Sequence, residues 1–456
     1  MKEFEALLRE SLPDYAADAL LDVLGDGSSS AEVSIRLNPL KVSEPDFGFD
    51  MRPVPWCGGA FFLSGRPNFT LDPSFHAGAY YVQDSSSMFP ALLAGLIRES
   101  DAVLDLCASP GGKSTHLISI FKDKQPLVVC NEAVGKRVPP LTDNIAKWGA
   151  NNVIVTNASA AALGRAEGFF DLILADVPCS GEGMFRKSTD AVEGWSPASV
   201  KDCAALQRSI ISDVWPALRE GGLLIYSTCT YNHLENQDNV KYIAEHLGAE
   251  YVPIEGTDIV PGLVKLLWGY QFVPGLVPGE GQFFAVLRKN SASGSRRLSA
   301  RKARFVSAGG DGLVLDKAKN QIYALGHSLD FANWISEANP SCVKTLGCRV
   351  GEIKAGKIIP DADLALSTAL IGAESARFSV NSTGDGKVSA LEFSCAKIDR
   401  ETALRFLARE NITPQPSWPR GYILLRYHSL GLGFVNNLGN RCNSLHPLMR
   451  RILKVR

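Results

Sequence analysis

Several common signatures are missing from this chain of 456 residues. It contains no apolar run of the roughly 18 residues that a membrane span needs. Its start, MKEFEALLRE, is acidic and amphipathic, where a secretion signal would be basic and then apolar. Its ten cysteines include no Cys-x-x-Cys pair, which argues against a zinc ribbon or a thioredoxin-type centre. These absences predict a cytoplasmic globular protein with reduced thiols and no metal site.

The charges are almost balanced in total but unevenly distributed. Residues 1–100 carry 7 Lys and Arg against 14 Asp and Glu, whereas residues 288–456 carry 26 against 13. Because Lys and Arg neutralise phosphates, the basic final third indicates an appendage that binds a polyanion. The small, polar and basic segment 291–304 fits an interdomain linker or an RNA-contacting arm.

The middle of the chain has the pattern of an α/β domain. Between residues 101 and 290, the short apolar strands AVLDLC, LVVCNE, VIVTN, DLILAD and GLLIYST alternate with helical stretches. This alternation is typical of a doubly wound, mostly parallel sheet, and QFFAVLRK (282–289) is expected to add an edge strand. We expect an α+β segment over 1–100, a mixed unit over 305–380 and a small β-rich unit over 385–456.

A glycine turn follows the first strand of this domain, in VLDLCASPGGKS (103–114). Backbone amides at such a turn can approach a cofactor closely, and the helix N-terminus adds a positive dipole. The turn has Cys107 where a Walker A loop needs glycine, and it lacks the GxGxxG spacing of dinucleotide sites. Glu132, at the end of the next strand, stands where a carboxylate bonds ribose hydroxyls. The pattern predicts a nucleoside cofactor other than ATP or NAD.

Two cysteines lie just past strand ends. Cys179 follows DLILAD in DLILADVPCSGEGMFRK (171–187), and Cys229 follows GLLIYST in GGLLIYSTCTYNHLEN (221–236). Parallel strands place ligands and catalytic groups at their carboxyl ends. A thiol needs nearby cations to become a thiolate at neutral pH, and Lys113 is the local candidate.

Methylation at carbon 5 of cytosine is a reaction that would use all three predicted features: two thiols, a nucleoside cofactor and an arm that binds a polyanion. That carbon is a poor nucleophile until a thiolate adds to carbon 6 of the ring. After a methyl group has moved from a sulfonium cofactor to carbon 5, a second thiol or a carboxylate can help to remove the proton there, and the first thiolate leaves. By this chemistry alone the two thiols are interchangeable.

The motifs SPGGK (109–113), PCSG (178–181) and TC (228–229) resemble those of the Sun/nucleolar-protein family of RNA cytosine-5 methyltransferases. SIRLNPLK (34–41) and GAYYVQDSSSMFP (78–90) are similar to its N-terminal segment, which is expected to bind RNA over 1–100. The layout resembles the bacterial ribosomal-RNA members with a C-terminal RNA-binding extension, whose last unit is expected to be a barrel-like RNA-binding domain over 385–456. The resemblance implies a Rossmann-like core, S-adenosylmethionine as cofactor and ribosomal RNA of the small subunit as substrate, with transfer RNA as the main competitor. A monomer is favoured.

The same resemblance assigns roles to individual residues. Glu132 would bind the cofactor ribose, and Ser159 stands where the family usually carries an acid near the adenine. Asp176 would lie between cofactor and target base, and Lys113 would reach the same site. Cys229 would be the nucleophile, and Cys179 would assist release of the methylated RNA. The cofactor-holding turn would consist of Cys107, Ala108, Ser109, Pro110, Gly111, Gly112 and Lys113.

A second hypothesis is an RNA-binding ribosome assembly factor whose methyltransferase fold is catalytically dispensable. The serine at position 159 is its best support, and the presence of both strand-end cysteines argues against it. A DNA substrate is a third, weaker option. For the basic C-terminal part, the residues expected to contact phosphates are Lys302, Arg304, Arg441, Arg450 and Arg451.

Overall fold

A computed structural model of the chain describes residues 1–25, 32–42, 50–97, 99–292, 294, 298–308, 312–381 and 388–453. The α-helices in these residues are α1 (Lys2–Ser11), α2 (Asp14–Gly25), α3 (Pro73–His76), α4 (Ala94–Ile97), α5 (Gly112–Ile120), α6 (Val138–Trp148), α7 (Ala160–Gly164), α8 (Thr189–Gly194), α9 (Pro197–Val214), α10 (Gln237–Leu247), α11 (Asp330–Ala338), α12 (Ala362–Ala365) and α13 (Arg400–Leu407). Among the described residues, none of the helices is long and apolar enough to span a bilayer.

The strands of the N-terminal and central parts are β1 (Ser34–Leu37), β2 (Met51–Pro53), β3 (Ala60–Leu63), β4 (Tyr80–Val82), β5 (Ala102–Asp105), β6 (Leu127–Asn131), β7 (Val153–Thr156), β8 (Phe170–Asp176), β9 (Leu218–Thr228), β10 (Ala249–Tyr251), β11 (Val264–Leu266), β12 (Gly269–Phe272) and β13 (Gln282–Lys289). Those of the C-terminal part are β14 (Phe305–Ser307), β15 (Leu313–Asp316), β16 (Gln321–Ala324), β17 (Val343–Leu346), β18 (Cys348–Lys354), β19 (Lys357–Pro360), β20 (Ser375–Asn381), β21 (Val388–Ile398), β22 (Gly421–Tyr427), β23 (Leu430–Asn437) and β24 (Cys442–Ser444).

The core is a ten-stranded sheet in the order β11-β12-β13-β9-β8-β5-β6-β7-β17, with β10 paired to β13. The five strands from β9 to β7 run parallel, and the antiparallel strands lie on either side of them. The predicted doubly wound sheet is therefore confirmed. The prediction of β13 as an edge strand is wrong, because the short β11–β12 hairpin covers its outer side.

Helices cover both faces of this sheet, which explains its continuously apolar strands. Successive residues of a strand point to opposite faces. Leu104 packs in one apolar core with residues of α9 and α10, whereas its neighbour Val103 packs in another with residues of α5 and α6. A strand that is buried on both faces needs apolar residues at every position, because successive side chains point to opposite faces. The parallel strand ends, with the polar loops that follow them, then meet at one edge.

A buried arginine attaches the N-terminal sheet, β2-β3-β1-β4, to the core. Arg36 is 2% exposed and stacks on Trp148 at 4.7 Å. Its guanidinium donates to Thr115 Oγ1 at 2.7 Å, Ser119 Oγ at 3.0 Å and the Gly112 carbonyl at 3.2 Å, all in α5. Burial lowers the pKa of Arg36 to about 10. The N-terminal sheet thus supports the helix that follows the glycine turn.

Two further sheets make up the C-terminal part, in the orders β14-β15-β16-β18-β19 and β20-β21-β22-β23-β24. Strand β17, which lies between β16 and β18 in the chain, belongs to neither of these sheets and pairs with β7 of the core. Strand β20 pairs with β21 and so lies in the last sheet, although the expected unit 305–380 contains it. Of the expected linker 291–304, residues 293 and 295–297 lie outside the described residues.

Two of the five cations expected to contact phosphates are engaged in structural ion pairs, so that expectation is wrong for them. Arg304 bonds Asp316, which is fully buried, at 2.6 Å. Arg450 bonds Asp363 at 2.7 Å and also pairs with Asp143 of α6. A buried carboxylate requires such a partner, and this requirement leaves no mark on the sequence pattern. The exposed cations of the set are Lys302, Arg441 and Arg451.

Candidate active site

The glycine turn 107–113 joins β5 to α5. Gly111 caps the helix with φ at 113°, a backbone conformation that residues with a side chain rarely adopt. The Ala108 amide donates to the Asn131 carbonyl at 2.8 Å, which ties the turn to the end of β6. The turn can therefore present its backbone to a ligand lying over the ends of β5 and β6.

Glu132 directly follows β6 and is 3% exposed. Its Oε1 accepts from the Val134 amide at 2.8 Å, while its Oε2 has no hydrogen-bond partner and lies 3.6 Å from the Arg137 guanidinium. Arg137 also contacts the glycine turn, because its backbone carbonyl accepts a hydrogen bond from Ser109 Oγ at 2.8 Å. A buried carboxylate oxygen without a donor is costly unless a ligand supplies one. The residues present thus fit a ligand with hydroxyl groups, such as a nucleoside ribose.

Ser159 is exposed and caps α7, where its Oγ accepts from the Ala162 amide at 3.2 Å. Serine is among the residues best suited to this cap. The segment before it is tied to the Glu132 loop, because Asn157 Nδ2 donates to the Glu132 carbonyl at 2.7 Å. Ser159 therefore has a local structural role beside the candidate cofactor site.

The two predicted cysteines meet. Cys179 Sγ lies 3.2 Å from Cys229 Sγ, although 50 residues separate them in the chain. They are brought together because β8 and β9 are parallel neighbours, with Asp176 in register with Ser227. The sequence reasoning that placed both thiols past strand ends on one side of the sheet thus agrees with their positions.

The two thiols differ in acidity. The hydrogen bond with Cys179 lowers the pKa of Cys229 below its ordinary value; burial and the Asp176 carboxylate oppose this shift, and the Lys113 ammonium adds to it. The same hydrogen bond, together with burial, raises the pKa of Cys179 well above its ordinary value. These directions favour Cys229 over Cys179 as the more acidic sulfur of the pair.

Lys113, at the start of α5, pairs with Asp176 at 2.8 Å and interacts electrostatically with Cys229. Burial lowers the pKa of Lys113, but the Asp176 carboxylate and its hydrogen bond outweigh that effect and raise it overall. Ser227 Oγ donates to the other oxygen of Asp176 at 2.7 Å. The lysine therefore stays charged beside Cys229.

Two buried glutamates that the sequence analysis did not single out connect the cysteine loops. Glu182, in the loop after Cys179, accepts from the Thr230 hydroxyl and from the Tyr231 amide at 2.7 Å. Glu235, in the loop after Cys229, accepts from the Ser180 amide at 3.0 Å. Each carboxylate thus spans from its own loop to the other, which fixes the distance between the sulfurs.

Gly183 brings the two loops into direct backbone contact. Its amide donates to the Cys229 carbonyl at 2.8 Å, and a Cβ at this position would lie 2.6 Å from that oxygen. A side chain cannot be accommodated so close to backbone, so glycine is required here. The signal available in the sequence was only a polar, glycine-containing loop after each cysteine.

Three family models match the chain. Residues 93–288 match "16S rRNA methyltransferase RsmB/F", and residues 1–85 match "N-terminal domain of 16S rRNA methyltransferase RsmF". Residues 393–452 match "Methyltransferase RsmF PUA domain". The three models thus match the N-terminal part, the core and residues 393–452 near the end of the chain.

Curated relatives carry the name ribosomal RNA small subunit methyltransferase F. The protein from Photobacterium profundum is 33% identical over 322 residues, which are 66% of each chain. The protein from Aliivibrio fischeri (strain ES114) is 33% identical over 320 residues, 66% of this chain and 67% of the relative. The protein from Escherichia coli (strain K12) is 36% identical over 310 residues, 63% of each chain. The chain thus aligns with about two thirds of the length of these relatives.

Solved structures agree on the fold. A methyltransferase homologue from Pyrococcus horikoshii is 25% identical with a TM-score of 0.51, covering 61% of this chain and 92% of its own. NSun6 from Pyrococcus horikoshii is 19% identical with a TM-score of 0.54, covering 64% and 98%. The predicted Rossmann-like methyltransferase fold is confirmed, and so is the resemblance inferred from the motifs. The chain belongs to the RsmB/F family of 16S rRNA methyltransferases.

Proposed function

We propose that the protein transfers a methyl group from S-adenosylmethionine to carbon 5 of a cytosine in ribosomal RNA of the small subunit. The reaction proceeds through a covalent bond between Cys229 and carbon 6 of the base. The observation that carries the proposal is the 3.2 Å contact between Cys179 and Cys229 beside the Lys113–Asp176 pair. The names of the family models and of the relatives support ribosomal RNA as the substrate.

The turn 107–113 and Glu132 hold the cofactor, which supplies an electrophilic methyl group when bound. Glu132 Oε2, which lacks a donor, accepts hydrogen bonds from the ribose hydroxyls. The backbone of the turn approaches the cofactor without side chains in the way at Gly111 and Gly112. Ser159 adds an uncharged hydroxyl at the adenine side.

Asp176 and Lys113 orient the target base. A carboxylate accepts from the exocyclic amine of cytosine, and Asp176 is 31% exposed in its side chain, so one oxygen can be reached. The Cys229 thiolate adds to carbon 6, and the electron pair of the carbon 5–carbon 6 double bond becomes available at carbon 5 for bonding to the methyl group. The target cytosine enters unpaired or flipped out of its stack.

Release reverses the addition. The proton on carbon 5 passes to a base, the carbon 5–carbon 6 double bond re-forms, and the carbon 6–sulfur bond breaks with its electron pair returning to Cys229. Cys179 is the base, since its sulfur lies 3.2 Å from the sulfur that must leave; once Cys229 is bonded to carbon 6, the Cys179 thiol first releases its own proton to solvent and its thiolate then takes the proton of carbon 5. The protein ends with both thiols as they began, and one proton is released overall.

The arrangement favours an enzyme over an assembly factor without catalysis. A scaffold needs neither a pair of thiols in contact nor a lysine buried beside them. The PUA-like residues 393–452 and the exposed cations Lys302, Arg441 and Arg451 hold the RNA by phosphate contacts.

The first test is methyl transfer itself. Purified protein is incubated with methyl-labelled S-adenosylmethionine and, in separate reactions, small-subunit ribosomal RNA, transfer RNA and DNA. We expect label only in the ribosomal RNA, recovered as 5-methylcytosine after digestion to nucleosides. If ribosomal RNA is bound but gains no label, the result supports the assembly-factor hypothesis. If label appears in transfer RNA or DNA, that nucleic acid is the substrate and the assignment to ribosomal RNA is wrong.

Replacing Glu132 by glutamine should weaken cofactor binding. The change keeps the side-chain shape but removes the charge that accepts the ribose hydroxyls, and a hydrogen bond to a charged group contributes about 1.5–3 kcal/mol. We expect the Kd for S-adenosylmethionine, measured by calorimetry, to rise about 10- to 100-fold. Glu245→Gln, on the exposed face of α10, is the matched control. An unchanged Kd in Glu132→Gln would remove Glu132 from the ribose site.

A further inference from the structure

Gln282, the first residue of β13, lies at the centre of the candidate site and is 1% exposed. The sequence analysis gave it no role. Its amide contacts three separate parts of the chain: the end of β9, the end of β8 together with the start of α5, and the 3-10 helical segment Ser86–Leu93 that follows the N-terminal sheet.

Every hydrogen-bonding position of this amide is used. Its Nε2 donates to the Thr228 carbonyl at 2.8 Å and to Asp176 Oδ1 at 3.1 Å. Its Oε1 accepts from Ser87 Oγ at 3.2 Å and from Lys113 Nζ at 3.4 Å. An amide offers two donors and two acceptor sites. Gln282 has therefore no position left for substrate or cofactor, and it acts through its neighbours.

The neighbours fix the orientation of the amide. The Thr228 carbonyl and the Asp176 carboxylate are acceptors, so the end of the amide that faces them is its NH₂ group. The Lys113 ammonium is a donor, so the end that faces it is the amide oxygen. A buried amide held in this way contacts both members of the Lys113–Asp176 pair at once. Ser227 and Gln282 together occupy Asp176 Oδ1, so Oδ2 is left to face Lys113.

We propose that Gln282 is a positioning residue that holds the Lys113–Asp176 pair in place, so that the Lys113 ammonium stays beside the Cys229 sulfur. This role rests on the proposed function only for its catalytic consequence, the addition of Cys229 to the base. The direct effect of Gln282 is on the reactivity of Cys229, which can be measured in the protein without RNA or cofactor. The titratable groups that interact with Cys229 include Cys179, Asp176, Lys113, Glu235 and Tyr231.

Replacing Gln282 by glutamate tests the proposal. A carboxylate there has the same shape but faces the Asp176 carboxylate and the Thr228 carbonyl, and it draws the Lys113 ammonium away from Cys229. Added negative charge disfavours the thiolate. The rate of Cys229 alkylation by iodoacetamide is followed against pH by peptide mass spectrometry, in the absence of RNA and cofactor. We expect the midpoint to move upward by about one pH unit, which makes alkylation about tenfold slower near neutral pH, with the plateau rate at high pH unchanged.

Two further variants complete the experiment. Gln282→Met has a similar length and no amide, so it adds no charge and should move the midpoint upward by less than Gln282→Glu does. Gln415→Glu makes the same chemical change on the exposed surface of the C-terminal part and should leave the profile as in the wild type. If Gln282→Glu fails to fold, the Gln282→Met profile decides.

The outcomes separate the hypotheses. A wild-type midpoint in folded Gln282→Glu or Gln282→Met overturns the proposal, and so does a change in the plateau rate alone, which would indicate altered access to the sulfur. If the wild type fails to methylate any RNA but the uncharged Gln282→Met shifts the midpoint, Gln282 keeps its positioning role and the proposed function falls.

Discussion

Cys229→Ala should lose methyl transfer by at least about 10³-fold in kcat, since removing a catalytic nucleophile typically costs that much or more. The reason is that carbon 5 of cytosine becomes nucleophilic only while a thiolate is bonded to carbon 6. No other sulfur in the described structure occupies this place with a lysine and a donor thiol beside it. Serine at position 229 should lose as much, because a hydroxyl is far less ionised than this thiol.

The measurement is single-turnover methylation of small-subunit ribosomal RNA, with binding of RNA and S-adenosylmethionine measured separately. Both binding constants should stay near those of the wild type, because the cofactor turn and Glu132 are untouched by the change. Cys203→Ala, on α9, is the matched control and should keep full activity. If Cys229→Ala retains activity while Cys179→Ala loses it, the two roles assigned to the cysteines are reversed.

The sequence was informative about this site wherever a strand end determines a position. Cys179, Cys229 and Asp176 follow or end continuous apolar strands, and the alternation with helices makes those strands parallel neighbours. Glu132 could be found for the same reason, since it follows the strand next to the glycine turn. Periodicity and the rule that ligands bind at the carboxyl ends of parallel strands were sufficient for these residues.

The remaining parts of the site come from elements without a strong pattern. Glu182 and Glu235 lie in polar loops, where a glutamate is usually a solvated surface residue, and only the folded loops bury them. Gln282 was hidden in an apolar strand that was expected at the sheet edge, because the short strands β11 and β12 gave too little signal to be seen.

The same limit explains the two arginines that were wrongly expected to bind phosphates. Arg304 and Arg450 lie in basic stretches, and net charge describes a segment without identifying the partner of each residue. Their carboxylate partners come from other elements, and Asp143 is more than 300 residues from Arg450 in the chain. Such pairs follow from tertiary packing, which composition does not encode.

Cys179→Ala should accumulate a covalent complex between protein and RNA, whereas Cys229→Ala should form none. In the adduct, the Cys229 sulfur is bonded to carbon 6 and no longer accepts the hydrogen bond that raises the pKa of Cys179. The pKa of Cys179 then moves back toward its ordinary value, so its thiol can release its own proton to solvent, and the resulting thiolate takes the proton from carbon 5. Without that base the methylated base stays attached, because addition and methyl transfer proceed while elimination stalls.

The assay is expression of both variants in cells, followed by denaturing gels with and without RNase. We expect an RNase-sensitive shifted band in Cys179→Ala only, and the double variant should show no band. Cys179→Ser should trap as well, since serine is a poor base. Its hydroxyl can still donate to Cys229, so its adduct should form faster than that of Cys179→Ala.

A band in Cys229→Ala without one in Cys179→Ala would make Cys179 the nucleophile and contradict the acidity difference between the thiols. Bands in neither variant, together with no methyl transfer by the wild type, would favour the assembly-factor hypothesis. The trapped RNA carries further information, because each molecule is fixed to the protein at its target base. Sequencing it identifies the modified cytosine without any assumption about the substrate, which tests the assignment to small-subunit ribosomal RNA independently of the family comparison.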